Sequence, residues 1–323
     1  MKKIRRIGVL TSGGDTPGMN AAVRAVVKAG IDKGIAVMGI YHGFTGLMEG
    51  HIQQLQYADV HNTTDRGGTI LRTSRSERFK LPEGKDIALR VIRAYGIDGL
   101  IVIGGDGSFR GARALFEAGI PAIGVPGTID NDMGYTDFTI GFDTAVNNVI
   151  NEISKIRDTM RAHDRVGVVE VMGRNCGDIA LWAGIAGPAD ITLLPEVEYS
   201  WADAAHRLAE NKLRGRLTSM VIIAEGAGHA DDFAEYVRQN TDVEIKPVTL
   251  SYIQRGGNPS ANDRVLATRL GVRAVELLFQ GEGGRAVGIR DNALIDVTLE
   301  EAINTPNRFN QQLYDLMAMI TKF

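Results

Sequence analysis

GLIVIGGDGS at residues 99–108 and PAIGVPGTIDND at residues 121–132 each join a short apolar run to a glycine-rich turn. The apolar runs, Leu100–Ile103 and Ile123–Val125, have almost no polar position, which is typical of parallel strands buried on both faces. Between them, Arg110–Glu117 has the pattern of an amphipathic helix. This stretch therefore predicts a strand–helix–strand unit of an α/β protein.

The same arrangement recurs along the chain. Further apolar runs that end at glycine-rich segments are Ile7–Leu10 before TSGGDTPG, Val166–Val171 before MGRNCGD, and Met220–Ala224 before EGAGH. Helical patterns begin at Met19 and cover Asp143–His163, and spacing places a domain break near Gly141. Because loops at the carboxyl ends of parallel strands form the usual ligand crevice, the glycine-rich segments are expected to converge there.

Composition narrows the class of protein. At roughly 150 residues per domain, the 323 residues predict about two domains, and 44% hydrophobic with 23% charged residues are ordinary values for a globular protein. A net charge of −3 provides no global field for nucleic acid, and no apolar run approaches the ~18 residues of a membrane span. The single cysteine, Cys176, excludes an intrachain disulfide and favours a reducing compartment, so a cytoplasmic location is predicted.

Two glycine-rich segments could cradle phosphate groups. The P-loop pattern is absent, and GDGSFRG at 105–111 does not fit the dinucleotide fingerprint. Ser12–Asp15 and Gly104–Ser108, however, each lie between a strand and a helix, where glycine lets backbone N–H groups approach phosphate oxygens. Each segment alone could equally be a structural turn, and GGDGS also occurs in lipid and NAD kinases. Two of them in one chain favour a nucleotide ligand.

The acids of PGTIDND are candidates for proton transfer and for metal binding. Asp130 and Asp132 follow a buried strand and could face one crevice, although an Asx turn or a helix cap would also explain the pattern. Arginines in loops beside strands are candidate partners of a phosphorylated ligand, and singly each could be a solvated or salt-bridged side chain; they are Arg75, Arg165, Arg174 and Arg255.

Taken in order, LTSGGDTPGMNA, GGDGS, PGTIDND, MGRNCGD and IQRGGNPSANDR resemble the bacterial ATP-dependent phosphofructokinase family, from about Arg6 to the last helix. The resemblance implies two similar α/β domains, each a parallel-rich sheet sandwiched between helices. It assigns 1–141 plus about 255–304 to an ATP-binding domain. It assigns about 142–254 plus 305–323 to a fructose 6-phosphate-binding domain. Relatives of this kind are homotetramers with sites at subunit contacts.

The resemblance also implies the chemistry, which is transfer of the ATP γ-phosphoryl to the 1-hydroxyl of fructose 6-phosphate with Mg²⁺. The implied catalytic residues are Asp130 as base, Asp132, Thr128, Arg174, Arg75 and Gly14. The implied nucleotide-binding residues are Gly14, Arg75, Ser76, Gly105, Asp106, Gly107 and Ser108, with Asp106 as the magnesium contact. The implied sugar-phosphate residues are Thr128, Ile129, Asp130, Arg165, Met172, Gly173, Arg174, Glu225, Lys246, Tyr252 and Arg255, with Arg165 and Lys246 supplied by a neighbouring subunit.

Several positions depart from the family pattern. Tyr252 stands where relatives usually have histidine, and Lys246 where they have arginine, which could reduce sugar-phosphate affinity. The implied effector site for ADP and phosphoenolpyruvate comprises Arg24, Lys28, Tyr57, Asn62, Arg157, Asp190, Arg214, Arg216 and Thr218. Tyr57, Asn62, Thr218 and Lys28 differ from the relatives there, so weak regulation is expected.

The alternatives to an ATP-dependent enzyme are a pyrophosphate-dependent enzyme and a catalytically silent paralogue. Pyrophosphate-dependent relatives carry aspartate and lysine where this chain has Gly107 and Gly127, and glycine at both positions favours ATP. A catalytically silent, nucleotide-sensing paralogue would be expected to lack the base, but Asp130, Asp132 and Asp106 are all present.

Overall fold

The computed structural model describes residues 4–321. The chain divides into two compact units, and it passes between them several times. Unit 1 comprises Met1–Ile129, Met133–Asp143 and Arg255–Asn307, and unit 2 comprises Asp130–Asp132, Thr144–Gln254 and Arg308–Phe323. The short segment Asp130–Asp132 thus belongs to unit 2, although the residues on either side of it belong to unit 1.

Unit 1 is built on a seven-stranded sheet. Its elements are β1 (Arg6–Thr11), α1 (Met19–Asp32), β2 (Ala36–Ile40), α2 (Gly43–Glu49), β3 (Ile52–Leu55), α3 (Glu77–Lys80), α4 (Pro82–Ala94), β4 (Gly99–Gly104), α5 (Asp106–Glu117) and β5 (Ala122–Pro126). After the excursion into unit 2, its further elements are α10 (Ala261–Phe279), β10 (Arg285–Arg290), β11 (Ala293–Thr298) and α11 (Leu299–Asn304).

The strand order explains where a ligand would lie in unit 1. The order is β11-β10-β5-β4-β1-β2-β3, parallel except for the edge strands β3 and β11. From β1 the chain builds outward to β2 on one side, and from β4 to β5 on the other. The order therefore reverses between β1 and β4, and such a switch point opens a crevice at the carboxyl ends of the two strands.

Apolar cores cover both faces of this sheet. One core packs β1 and β4 against α1 and α10, and includes Val23 and Leu270; the other packs the opposite face against α2 to α5, and includes Phe109 and Ile92. Every residue of β4 is buried. The continuous apolar run at 100–103 follows from this burial on both sides, since neither face of the strand meets water.

Unit 2 is built on a smaller, four-stranded parallel sheet in the order β7-β8-β6-β9. Its elements are α6 (Phe142–Ala162), β6 (Val166–Val171), α7 (Asp178–Ala186), β7 (Ile191–Leu193), α8 (Trp201–Leu213), β8 (Met220–Ala224), α9 (Ala230–Asn240), β9 (Ile245–Thr249), a 3₁₀ helix (Ser251–Arg255) and α12 (Gln311–Ile320). The strands β6 and β8 are neighbours, and the chain leaves them in opposite directions across the sheet.

The predicted α/β class, with two parallel-rich sheets flanked by helices, is confirmed. One boundary differs from the sequence prediction: α5 begins at Asp106 rather than Arg110, so most of GGDGS lies in the helix rather than in a loop before it. Glycine is poorly suited to a helix interior but is tolerated in the first turn, where the N–H groups have no partner within the helix. Across residues 4–321, no helix is both long and apolar enough to span a bilayer.

Candidate active site

In unit 1, the turns after β1 and β4 are joined by hydrogen bonds. The Ser12 N–H donates to the Ile103 carbonyl (2.9 Å), and the Ser108 hydroxyl donates to the Ser12 carbonyl (3.1 Å). Gly13 has φ +89°, a conformation that favours glycine, and its carbonyl accepts from the Thr73 hydroxyl at 2.9 Å. The two glycine-rich turns are therefore held side by side at the switch point of the sheet.

The N-terminus of α5 lies at this same edge. Gly105 is its N-cap, and Asp106 and Gly107 follow in the first turn. The Asp106 carboxylate is paired with Arg110 at 3.2 Å and its side chain is 41% exposed. Gly107 is exposed, and a Cβ built on it would meet nothing within 4 Å. An exposed helix N-terminus with open space around it suits an anion such as a phosphate group.

The remaining predicted residues of unit 1 have varied surroundings. Arg255 donates from Nη1 to the Asp15 carbonyl at 3.2 Å, and its guanidinium lies beside Gly14. Arg255 is thus next to the glycine-rich turn of β1, whereas the resemblance assigns it to the sugar phosphate. Arg75 is exposed, and Ser76 caps α3 by accepting from the Phe79 N–H at 3.3 Å. The Thr128 carbonyl accepts from the Thr139 hydroxyl at 2.6 Å.

In unit 2, the acids of PGTIDND meet Arg174. Arg174 Nε lies 3.1 Å from Asp130 Oδ2, and its Nη1 lies 3.8 Å from Asp132 Oδ2. The Asp130 side chain is only 1% exposed, while that of Arg174 is 55% exposed. A buried carboxylate is thereby paired with a cation that reaches solvent.

The loop that carries Arg174 is fixed from the end of β8. Glu225 Oε1 accepts from the backbone N–H of Gly173 (3.0 Å) and of Arg174 (2.6 Å). Arg174 has φ +55°, so these bonds hold it in an unfavourable left-handed conformation. The Met172 N–H donates to Oε1 of the fully buried Gln254 at 3.0 Å. The predicted residues of 172–174 and Glu225 are thus brought together with Asp130.

Arg165 and Lys246 lie elsewhere in unit 2. Arg165 precedes β6, and Lys246 is paired with Gly167 near the amino end of that strand. Glu244 contacts both, at 2.6 Å from Arg165 Nε and 3.5 Å from Lys246 Nζ. Arg174 follows the carboxyl end of β6, so the strand separates the two groups by about 20 Å. The structure therefore does not bring Arg165 and Lys246 to Arg174 within one unit, and Tyr252 is 79% exposed.

Four predicted effector positions line one cavity in unit 2. The cavity has a volume of about 420 Å³, and its charged lining consists of three arginines and two aspartates; the lining includes Arg157, Arg161, Asp164, Asp190, Arg216 and Thr218. Asp190 is paired with Arg216 and accepts from the Met220 N–H at 2.7 Å. Burial raises the pKa of Asp190, against the opposing effects of the Met220 hydrogen bond and Arg216.

The remaining predicted effector positions do not line this cavity. Arg214 is exposed and lies 3.7 Å from Glu210. In unit 1, Lys28 Nζ lies 5.9 Å from the centroid of the Tyr57 ring, a cation–π distance, and Asn62 is exposed with φ +54°. Arg24 is partly buried on α1.

Sequence reasoning missed three polar residues that support the unit 2 cluster. Asn131 donates from Nδ2 to Asp178 Oδ2 at 2.8 Å, and Gln254 anchors Met172. Asn131 lies inside the motif PGTIDND, Asp178 is the last residue of MGRNCGD, and Gln254 lies inside IQRGG. Their positions in those motifs were the available signal, but the residue types alone do not tell which of them face one another.

Comparison with known proteins decides the family. A sequence model described as Phosphofructokinase matches residues 6–278, most of the chain. The chain belongs to the phosphofructokinase family. Among curated relatives, this phosphofructokinase is 52% identical over 313 residues to the ATP-dependent 6-phosphofructokinase of Clostridium tetani, covering 97% of this chain and 98% of the relative. It is 50% identical over 319 residues to the enzyme of the same name from Clostridium botulinum, covering 99% and 100%.

Solved structures agree with this family. The phosphofructokinase of Saccharomyces cerevisiae aligns with a TM-score of 0.90 at 33% identity, covering 98% of this chain and 50% of the yeast chain. This phosphofructokinase therefore spans half the length of that relative. A pyrophosphate-dependent phosphofructokinase from Marinobacter aquaeolei aligns with a TM-score of 0.85 at 23% identity, covering 96% and 86%, and at that identity the likeness concerns the fold.

Proposed function

We propose that this phosphofructokinase transfers the γ-phosphoryl of ATP to the 1-hydroxyl of fructose 6-phosphate, giving fructose 1,6-bisphosphate and ADP in glycolysis. The observation that carries the proposal is the buried Asp130 carboxylate, 3.1 Å from Arg174 and on the loop that also bears Asp132. The names of the Clostridium relatives, at about half identity over the whole chain, support the same substrates.

Asp130 acts as the general base in this proposal. A sugar hydroxyl is too weak an acid to ionise at neutral pH, so a carboxylate has to accept its proton as the new bond forms. Arg174 lies 3.1 Å from Asp130 and places a cation beside this buried carboxylate. The Arg174 side chain is 55% exposed, so this cation is accessible to a phosphorylated ligand as well as to Asp130. Thr128 and Ile129, which precede the base, contact the sugar near the reacting oxygen.

The glycine-rich turns of unit 1 bind the nucleotide phosphates. Gly14 and the first turn of α5 supply backbone donors, and Ser108 holds the two turns together through Ser12. Negative charge spreads over the phosphoryl oxygens as the group moves, and preplaced donors there are typically worth ~3 to 4 kcal/mol each. Arg75, which is exposed, and Arg174 are the proposed cationic donors, and Ser76 lies beside Arg75 at the nucleotide.

Asp106 is the proposed protein contact of Mg²⁺. Residues 4–321 contain no group of three or more histidine, cysteine or acidic side chains arranged to hold a metal. A half-exposed carboxylate at a phosphate-binding turn fits a Mg²⁺ ion that is held mainly by nucleotide oxygens and water. When bound, Mg²⁺ neutralises part of the charge of the transferring phosphates.

The sugar phosphate is the proposed ligand of unit 2. Glu225 and the Met172–Gly173 loop would contact the ring hydroxyls, with Tyr252 and Arg255 at the 6-phosphate. Arg165 and Lys246 lie at the far end of β6 from Arg174, which supports the proposal that a neighbouring subunit of a homotetramer supplies them. A single subunit would then lack a complete site. A cytoplasmic location is also proposed, from the single cysteine and the glycolytic role.

ATP is the proposed phosphoryl donor, and pyrophosphate the alternative. The open space at Gly107 supports this choice, since no side chain there would oppose an α-phosphate. The effector cavity of unit 2 is proposed to bind ADP or phosphoenolpyruvate only weakly.

A coupled assay on the purified protein tests the proposed function. With fructose 6-phosphate and Mg²⁺, we expect rapid turnover with ATP and little with pyrophosphate. Faster turnover with pyrophosphate would favour the pyrophosphate-dependent alternative. Nucleotide binding without turnover on either donor would favour the catalytically silent paralogue.

A further inference from the structure

The turn between the two acids of PGTIDND has an unusual backbone. Asn131 separates Asp130 from Asp132 and has φ +52°, in the left-handed region. Asparagine adopts this region more readily than most residues, but still at some cost. The turn directs both carboxylates to one guanidinium, since Arg174 lies 3.1 Å from Asp130 and 3.8 Å from Asp132. The alignment of the two acids therefore depends on keeping Asn131 in this conformation.

The Asn131 side chain is held by an acid outside the cluster. Its Nδ2 donates to Asp178 Oδ2 at 2.8 Å, across 47 positions of sequence. The Asn131 residue is 9% exposed, so little water competes for this hydrogen bond. Asp178 is the first residue of α7, a helix packed against β7, β8 and α12. The turn is thereby tied to a rigid element.

Burial makes it costly in free energy to keep the Asp178 side chain as a charged hydrogen-bond acceptor. Burial raises its pKa to about 6, with the Asn131 hydrogen bond opposing the rise and the charge of Glu196 adding to it. A buried, partly desolvated carboxylate needs a donor, and the donor it has is the amide of the catalytic turn. Glu196 serves a different group, because its Oε1 accepts from the Gly177 N–H at 2.7 Å.

We propose that Asp178 is a positioning residue for phosphoryl transfer, acting through its hydrogen bond to Asn131 to aim Asp130 and Asp132 at the reacting centre. This inference rests on the proposed function. It predicts that loss of the hydrogen bond lowers kcat far more than it changes KM, because the bond holds the base rather than the ligands. Misplacement of a reacting group by about 1 Å can cost on the order of 100-fold in rate.

The experiment compares five full-length proteins in the assay with ATP and fructose 6-phosphate. Asp178→Ala removes the acceptor, and a fall in kcat of about 10- to 100-fold is expected with both KM values within about threefold. Asp178→Asn keeps an acceptor oxygen, so most of kcat is expected to return. Asn131→Gly allows the positive φ without the amide, and it should resemble Asp178→Ala. Glu196→Gln is the matched control, because Glu196 accepts from the Gly177 N–H just before α7, and it should keep the kcat of the unchanged protein.

A sixth protein, the double variant, measures the coupling between the two partners. If Asp178 acts through Asn131, the double variant Asn131→Gly with Asp178→Ala is no slower than the slower single variant. Additive losses would overturn the proposal, and so would an unchanged kcat in Asp178→Ala or an equal loss in Glu196→Gln. If Asp178→Ala does not fold, Asn131→Gly and Asp178→Asn decide by the same criteria. If the unchanged protein is inactive, the proposed function and this inference are both overturned. If it is active but Asp178→Ala leaves kcat unchanged, only the inference is overturned.

Discussion

The ion pair of Asp130 and Arg174 joins two residues of very different exposure. The carboxylate is almost fully buried and the guanidinium is about half exposed. A buried charge depends strongly on its partner, while an exposed one can be solvated elsewhere. The pair is therefore asymmetric, because the buried Asp130 carboxylate depends on this contact more than the exposed Arg174 guanidinium does.

The first prediction concerns this base. Asp130→Ser should lower kcat by several orders of magnitude while fructose 6-phosphate still binds, because the carboxylate acts mainly in the transition state. Asp132→Ser is the matched comparison, since Asp132 is further from Arg174 and more exposed, and its loss should be smaller. Steady-state kinetics and equilibrium sugar-phosphate binding measure both. A fall of less than about tenfold in Asp130→Ser would assign the base elsewhere.

A second prediction concerns the stability of the Asp178 region. Burial raises the pKa of Asp178 from 3.8 to about 6, so the native state holds this proton more tightly than the unfolded chain. Stability from this group is therefore present below pH 3.8 and is lost as pH rises through about 6. Asp178→Asn removes the titration, and at pH 7 it should raise the free energy of unfolding by about 3 kcal/mol relative to the unchanged protein.

Urea unfolding between pH 4 and 7 measures that difference, which should shrink toward the acid end. Asp242→Asn is a control of opposite sign, because a hydrogen bond from Lys212 lowers the pKa of Asp242 and stabilises the native state above pH 3.8. A constant difference between Asp178→Asn and the unchanged protein across this range would show that Asp178 does not titrate as described.

At the scale of secondary structure, the buried strands could be predicted from the sequence, whereas the exposed edge strands could not. Met220–Ala224 is apolar throughout and Val166–Val171 is apolar except for Glu170, and the two predicted strands have the bounds that β8 and β6 have in the structure. The edge strands β3 and β11 are largely exposed and antiparallel, and the sequence gives no comparable apolar run for them. The hydrogen bond from Asn131 to Asp178 could not be predicted either, because it depends on where α7 packs.

The third prediction uses the first turn of α5. Gly107→Asp should raise the KM for ATP sharply, because a carboxylate there repels a nucleotide phosphate in a partly desolvated site. The fold should be unaffected, since the position is open and an acid in the first turn of a helix is favourable. Gly107→Ala is the neutral control and should change the KM for ATP little. Equal KM values in the two variants would show that residue 107 does not face the nucleotide.

At the scale of the whole molecule, the chain crosses between the units at Asp130–Asp132 and again at Thr144, Arg255 and Arg308. The proposed base lies in the three-residue segment Asp130–Asp132 of unit 2, and its side chain contacts Arg174 of the same unit. Residues far apart in the sequence determine such an arrangement, so local patterns of apolar and polar residues do not predict it. The proposed regulation depends, in addition, on contacts between subunits.

The last prediction concerns that regulation. Arg157 and Arg216 contribute positive charge to the cavity proposed as the effector site, but Asp190 already neutralises part of that charge through its contact with Arg216. In unit 1, Tyr57 contributes an aromatic ring to Lys28 where relatives have a guanidinium. Losing a charge-assisted hydrogen bond typically costs ~1.5 to 3 kcal/mol, so two such losses weaken effector binding about a hundredfold or more.

A ligand shifts an equilibrium only by its different affinities for the two states, so a weakly bound effector changes little at physiological concentration. We therefore expect near-hyperbolic saturation by fructose 6-phosphate, little activation by ADP, and inhibition by phosphoenolpyruvate only at high concentration. Tyr57→Arg should strengthen inhibition, because it restores a guanidinium, whereas Tyr57→Phe should not. Initial rates across a matrix of fructose 6-phosphate and phosphoenolpyruvate concentrations test this. A strongly sigmoidal curve at sub-millimolar phosphoenolpyruvate in the unchanged protein would mean that Arg157 and Arg216 suffice for effector binding.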